Sequence, residues 1–313
     1  MQKKLMVYPM AGMLHILKNK KGFTMIKLLA SIIFLLVGGG NAWSLPSDII
    51  RQQLPQSVPH YYKWGPLWVK LQVHYFKPLF LIIIISVLLI FFLHYIIIGP
   101  KSFDEEKKIK YYNLFNRIVH WLAALSFILL VPTGLIIVFG KFFGGGSFVR
   151  SMRILHDIGA AIFLIVILPL FLMWLKDMLP HPKDIKWFLI GGGYLTRGKV
   201  ETEAGKFNPG QKIWFWIAVG LGAVMILSGS AMYFQQFYIG IFDYQIDLLR
   251  VAAIVHNFSA MIIVAMFIVH LYMSLFAIKG SLHSMISGYK SEEEVRFYHS
   301  RFYKKLMQKR NTP

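Results

Sequence analysis

The sequence predicts an all-α membrane protein, a bundle of transmembrane helices. The chain has 313 residues, of which 56% are hydrophobic and only 15% charged, and its mean hydropathy is +0.55, a balance that places it among membrane proteins. Its apolar residues come in runs long enough to cross the hydrocarbon as helices. Its formal net charge of +20 sits mainly between and beyond those runs. That is the pattern of a positive-inside bias, so no nucleic-acid partner is expected. There are no cysteines, which excludes disulfides, thiol catalysis, cysteine-ligated iron–sulfur clusters and covalent haem attachment through C-x-x-C-H. Any redox centre must use His, Met or Tyr.

Residues 1–44 are expected to be a secretory signal peptide. Lys3, Lys4, Lys18, Lys20, Lys21 and Lys27 precede the run LLASIIFLLVGGGNAWS, and Ala42 and Ser44 offer a small-residue cleavage site. Translation from Met25 would leave a more compact signal, and an uncleaved membrane helix is the alternative. Residues 45–77 then form a periplasmic segment. The first mature span is expected at 78–98, with no Asp, Glu, Lys or Arg between Pro78 and Ile98. His94 within it is read as hydrogen-bonded or snorkelling rather than as a ligand.

The second span is expected from Ile118 to Gly140, with His120 at its start. The glycines at 144–146 make a turn into a third span that opens RILHDIGAAIF, with His156 near its start. Gly159 and Ala160 would let a flat macrocycle approach the backbone, and would serve equally for helix packing. A basic loop carrying KFNPGQK leads to a fourth span, Ile213 to Tyr233. The fifth lies between Arg250 and Lys279. The tail, 281–313, reads as basic and amphipathic, and its Glu run at 292–294 as a solvated face.

Lys and Arg number five in 99–117, six in 177–212 and eight in 279–313, against four in 45–77, three in 141–153 and one in 234–250. The first set should be cytoplasmic. That fits an exported N-terminus, five mature spans and a cytoplasmic C-terminus in a bacterial inner membrane.

The fifth span carries His256 and His270. Fourteen residues are nearly four turns, so both rings lie on about the same side, about 21 Å apart along the axis. Ionisable groups in lipid are costly and face a partner in the bundle interior. Neutral imidazole is also a ligand for iron. Two buried histidines hydrogen-bonded to neighbours are the plainer alternative. The topology favours the haem reading over the plainer one, because it puts His156 and His256 near the outer face and His120 and His270 near the cytoplasmic face. Each pair draws on two helices, as a bundle does when it holds a haem between facing side chains. Arg117 and Arg153 each precede a histidine by three residues. They could bind haem propionates, or serve as ordinary positive flanks.

With FNRIVHW, RILHDIGAAIF, HPKDIKWFL, GKFNPGQKIWFW, VHNFSAMIIVAMFIVHLYMSLFAIKGS and SMISGY, the chain resembles, over roughly 110–305, the gamma subunit of respiratory formate dehydrogenase. The resemblance implies a four-helix dihaem cytochrome b core over 110–280, plus one extra N-terminal transmembrane helix. It implies two haem b groups on His120, His156, His256 and His270, and a quinone, in this case menaquinone, near Asn208, Gly210, Gln211 and His270. Read alone, NPGQ is also a helix start, with Asn208 as cap and Pro209 in first position. The implied partners are an iron–sulfur beta subunit, a molybdenum- or tungsten-containing catalytic alpha subunit, the quinone pool and membrane lipid. Electrons would pass from the outer haem to the inner one and on to quinone. A cytochrome b anchor of a hydrogenase or thiosulfate reductase shares the dihaem logic. A haem-free proton-coupled transporter or passive anchor is the rival from another class.

Overall fold

A computed structural model describes residues 64–235 and 246–311. The expected signal peptide and residues 45–63 of the expected periplasmic segment lie outside these residues, whereas 65–77 of that segment are helical and open the first span, which starts at Gly65 and not at Pro78. Five helices are long and apolar enough to cross a membrane: Gly65–Ile97, Leu114–Val138, Gly146–Met178, Pro209–Phe234 and Ile246–Ala277. This is the helical membrane bundle that the sequence predicts. Short π-helical turns interrupt the first, fourth and fifth spans, at Leu71–Tyr75, Ile217–Leu221 and Met273–Ala277.

Helices that turn a stripe inward and the rest toward lipid should bury residues three or four apart. The third span does so with Phe163, Val166, Leu170, Trp174 and Met178. Its other faces expose Leu164, Ile165, Leu168 and Leu172. The first span buries Phe76, Phe80 and Ile84, one turn apart, against a background of exposed Ile and Leu. Gly159 serves helix packing: a Cβ there would stand 3.0 Å from Leu129 Cβ on the second span.

All five spans begin earlier than expected, and two of the starts have a local cause. The second span begins at Leu114, where Asn113 and Asn116 form a reciprocal capping box, so His120 lies two turns in. The third begins at Gly146, directly after the turn at Gly144 and Gly145, where all three glycines have φ near +60° to +80°. Only glycine adopts that conformation without strain.

The loops and tail of one end fold together into a basic cap. Strand β1 (Lys108–Lys110) pairs antiparallel with β2 (Tyr289–Ser291), with Ile109 opposite Lys290. Thr202 N–H donates to Phe297 O at 2.7 Å, and Ser300 Oγ donates to Thr202 O at 3.0 Å. Beneath these contacts Val295 and Ile109 are almost wholly buried beside Tyr111 and Tyr112, and Tyr298 is buried against Phe103 and Tyr194.

The Glu run at 292–294 is therefore not a solvated face. Glu292 accepts from Tyr303 Oη at 2.7 Å, and Glu293 pairs with Lys199 at 2.6 Å. Glu294 is buried in an ion pair with Lys290. The reason is tertiary: the run opens the helix Glu292–Tyr298, whose face packs into the cap.

Candidate functional site

The structure brings the four histidines together in two pairs. His120 of the second span and His270 of the fifth have ring centres 6.3 Å apart. His156 of the third and His256 of the fifth stand 6.4 Å apart. The first pair lies toward the basic cap and the second toward the opposite end of the fifth span. A metal–imidazole bond is about 2 Å long and the ring centre lies about 1 Å behind its nitrogen, so two imidazoles on opposite sides of one ion have centres about 6 Å apart. Both pairs have that spacing. Among the described residues no third His, Cys, Asp or Glu joins either pair. Two nitrogens are too few to close a site around a bare ion such as zinc, which takes four. They do suit an iron whose remaining positions are filled by a planar macrocycle. The donor set therefore fits haem.

The far-side histidines are held by the preceding helices. Thr133 Oγ1 donates to Leu129 O at 2.5 Å and stands 3.0 Å from His156 Nδ1. Ser228 Oγ donates to Val224 O at 2.7 Å and stands 3.0 Å from His256 Nδ1. A glycine follows each hydroxyl. A Cβ at Gly134 would come within 3.3 Å of His156 Cε1, and one at Gly229 within 3.5 Å of His256 Cε1. Sequence reading missed Thr133 and Ser228. The signal was the repeated pattern of a hydroxyl residue followed by glycine, in T-G and S-G, which carries no meaning until the histidines are seen beside it.

The cap-side pair is built differently. His120 Nδ1 is buried without a hydrogen-bond partner among the described residues. The His270 ring stacks on Trp214, with centres 5.4 Å apart and planes 18° apart. Arg117 donates to Ile286 O, and its Nε is buried without a partner among the described residues. Arg153 is exposed on the third span, one turn before His156.

Asn208, Gly210 and Gln211 gather at the start of the fourth span. Asn208 caps it: Gln211 N–H donates to Asn208 Oδ1 at 3.0 Å, and Asn208 N–H donates to Gln211 Oε1 at 2.9 Å. Pro209 occupies the first helical position. Asn208 Nδ2 donates to Tyr194 Oη at 3.3 Å. Gln211 Nε2 has no partner among the described residues and lies one turn before Trp214, on whose ring His270 stacks. A Cβ at Gly210 would stand 3.0 Å from Trp187 Cη2, and one at Gly192 only 2.4 Å from Trp187 Cζ2. Trp187 thus lies against both glycines.

Lys212, one residue after Gln211, is buried in a 2.7 Å ion pair with Asp184 and donates to Leu179 O at 2.9 Å. It anchors this helix start to the third span rather than facing water as a flanking charge. His94 of the first span joins the same neighbourhood. Its Nε2 donates to Tyr194 O at 2.9 Å, because a carbonyl only accepts, and its Nδ1 then accepts from Tyr272 Oη at 2.6 Å. His94 is hydrogen-bonded, as its isolation in the sequence suggested.

Residues 111–288 match the family model for prokaryotic cytochrome b561. The chain is similar to the nitrate-inducible formate dehydrogenase cytochrome b556(Fdn) subunit of Escherichia coli K12, 27% identical over 214 residues that cover 65% of this chain and 94% of the relative. It is similar to the formate dehydrogenase cytochrome b556(fdo) subunit of the same strain, 27% identical over 199 residues, 62% of this chain and 92% of that one. It is also similar to the formate dehydrogenase cytochrome b556 subunit of Haemophilus influenzae, 27% identical over 193 residues, 60% and 79% of the two chains. The four histidines and the Asn208–Gln211 turn lie inside the matched segment.

Proposed function

The chain belongs to the prokaryotic cytochrome b561 family, and from that premise we propose that it is the membrane cytochrome b subunit of a formate:quinone oxidoreductase. The observation that carries this reading is the pair of histidine pairs, at 6.3 Å and 6.4 Å, near the two ends of one membrane helix. The names of the three relatives supply the formate dehydrogenase assignment. Bound in these sites, two haem b groups would supply one-electron carriers at two depths of the membrane.

His156 and His256 hold the haem on the outer side, where an iron–sulfur beta subunit docks. That subunit takes electrons from a molybdenum- or tungsten-containing alpha subunit, which bears the formate site. His120 and His270 hold the haem on the cytoplasmic side. Arg117 and Arg153 neutralise propionates, and the buried, unpartnered Arg117 Nε is a donor suited to that task. The quinone, menaquinone in this reading, binds at the start of the fourth span. Gln211 Oε1 is committed to the Asn208 N–H, so Gln211 Nε2–H donates to a quinone carbonyl. Gly210 lets Trp187 pack against this helix start, where its ring would lie alongside the quinone. Protons for the quinol enter from the cytoplasm. The charge asymmetry supports this orientation, with the basic cap on the cytoplasmic side of the inner membrane.

The test is a dithionite-reduced minus oxidised spectrum with pyridine-haemochrome quantitation, on the purified complex and on its H120A and H256A variants. Two b haems per chain, with one lost in each variant, are expected. No haem in a folded, fully assembled chain would overturn the reading. Formate added to the same complex should reduce the haems. Reduction by hydrogen or thiosulfate compounds in its place would make the chain the anchor of a different oxidoreductase.

A further inference from the structure

The two histidine pairs differ in what holds the ring nitrogen Nδ1. A hydroxyl has one proton and two acceptor lone pairs. Thr133 directs its proton to Leu129 O, and Ser228 directs its proton to Val224 O. At 3.0 Å from Nδ1 of His156 and of His256, each oxygen is left only to accept. Both rings therefore carry their proton on Nδ1, which leaves the Nε2 lone pair of each free. An imidazole whose distal N–H is hydrogen-bonded is held in one tautomer and one orientation, and it is a more basic ligand. On the cap side, His120 Nδ1 has no such acceptor, and the His270 ring is held by stacking on Trp214 and makes no side-chain hydrogen bond among the described residues.

We propose that Thr133 and Ser228 are positioning residues for the far-side haem, which their hydroxyls give the lower midpoint potential of the two. The inference rests on the dihaem reading above. A more basic ligand stabilises the ferric over the ferrous iron, so the potential falls. The cap-side pair lacks this push. The ordering makes the passage of one electron from the far side to the cap side downhill, with an iron–sulfur cluster as donor and a quinone as acceptor. The chain thus sets the direction of transfer with two hydroxyls and no additional charge in the membrane.

The experiment is a potentiometric titration of the haem absorbance in the purified complex. Wild type is compared with T133V, S228A, the double variant and the conservative T133S, with H256A and H120A used to assign the two components. In wild type the component lost in H256A should be the lower one. T133V and S228A should each raise that component, the double variant should raise it further, and T133S should restore it. The component lost in H120A should stay where it is. Full haem content with unmoved potentials in T133V and S228A would overturn the proposal, as would a shift of the cap-side component in their place. If T133V and S228A both lose the far-side haem but T133S keeps it at the wild-type potential, the hydroxyl is still the determinant. Loss from T133S as well would make the effect one of packing and end the proposal. A wild-type chain with no haem defeats the functional reading itself, which is a different result from any of these.

Discussion

Asn208 and Gln211 cap the fourth span, and in the proposed quinone site Gln211 would serve the backbone and a ligand together. Their capping box engages Gln211 Oε1 and Asn208 Oδ1 and leaves Gln211 Nε2 available. Gln211→Glu keeps an oxygen for the cap but removes the amide donor. It is expected to retain both haems while lowering the rate of quinone reduction at least tenfold, measured by single-turnover reoxidation of the reduced haems. Unchanged reoxidation would remove Gln211 from the quinone site. Gly210→Ala should act on the same rate by displacing Trp187, since its Cβ would meet that ring at 3.0 Å.

His299 makes a prediction about pH. It is buried in the cap, with Nδ1 2.9 Å from Gly205 O. Burial and the neighbouring Lys290 push its pKa down to about 3. The unfolded cap would bind a proton near the ordinary value of about 6.5. Between these values the unfolded state holds more protons, so stability is present above about pH 6.5 and is lost as pH falls toward 3. The protection of amides in the segment 290–303, taken relative to their intrinsic exchange rate at each pH, should therefore fall from pH 7 to pH 4. H299Q should flatten that dependence.

At the scale of elements, the ion pair of Lys290 and Glu294 ties the end of β2 to the helix that follows, with both side chains about 95% buried. Removing one partner of a buried pair leaves an uncompensated charge and costs about 3–5 kcal/mol, whereas replacing both with apolar groups can be neutral. K290M should therefore lower the thermal midpoint of the detergent-solubilised chain more than K290M/E294L does. An additive result from the two single variants would show the pair to be solvated. The first span is a second case. It is bound to the rest through His94, whose two nitrogens engage Tyr194 and Tyr272 of different elements. This gives the extra helix a structural tie to the start of the fourth span, which its apolar sequence does not disclose.

For the whole molecule, one end is basic and structured and the other carries few charges. The expected orientation has the basic cap in the cytoplasm. A fluorescent protein fused after residue 311 should fluoresce, and alkaline phosphatase inserted at Gly144–Gly145 should be active. The opposite pattern would invert the assignment of outer and inner haem sites while leaving the pairs themselves intact. The potentials proposed for the two pairs would then point electrons the other way.

How much of this was legible in the sequence varied with the kind of interaction. Five apolar runs, the fourteen-residue spacing of His256 and His270, and the sorting of four histidines by depth all follow from helix geometry and charge bias. These are one-dimensional properties: a 1.5 Å rise per residue and a membrane of fixed thickness convert position in the chain into depth. Asn208 and Pro209 announced a helix start for the same local reason. Thr133, Ser228, Trp187 and Trp214 were not legible, because each matters through a side chain more than twenty residues away or on another helix. The Glu run at 292–294 reads as a solvated face and the lysines at 101, 212 and 290 only as part of the charge bias, and lateral packing of loops and tail buried much of this charge. The sequence by itself determined depth and periodicity. Which side chains meet across helices, and which charges lose their water, was decided only by the tertiary structure, since those depend on rotation and packing about axes that the chain does not encode locally.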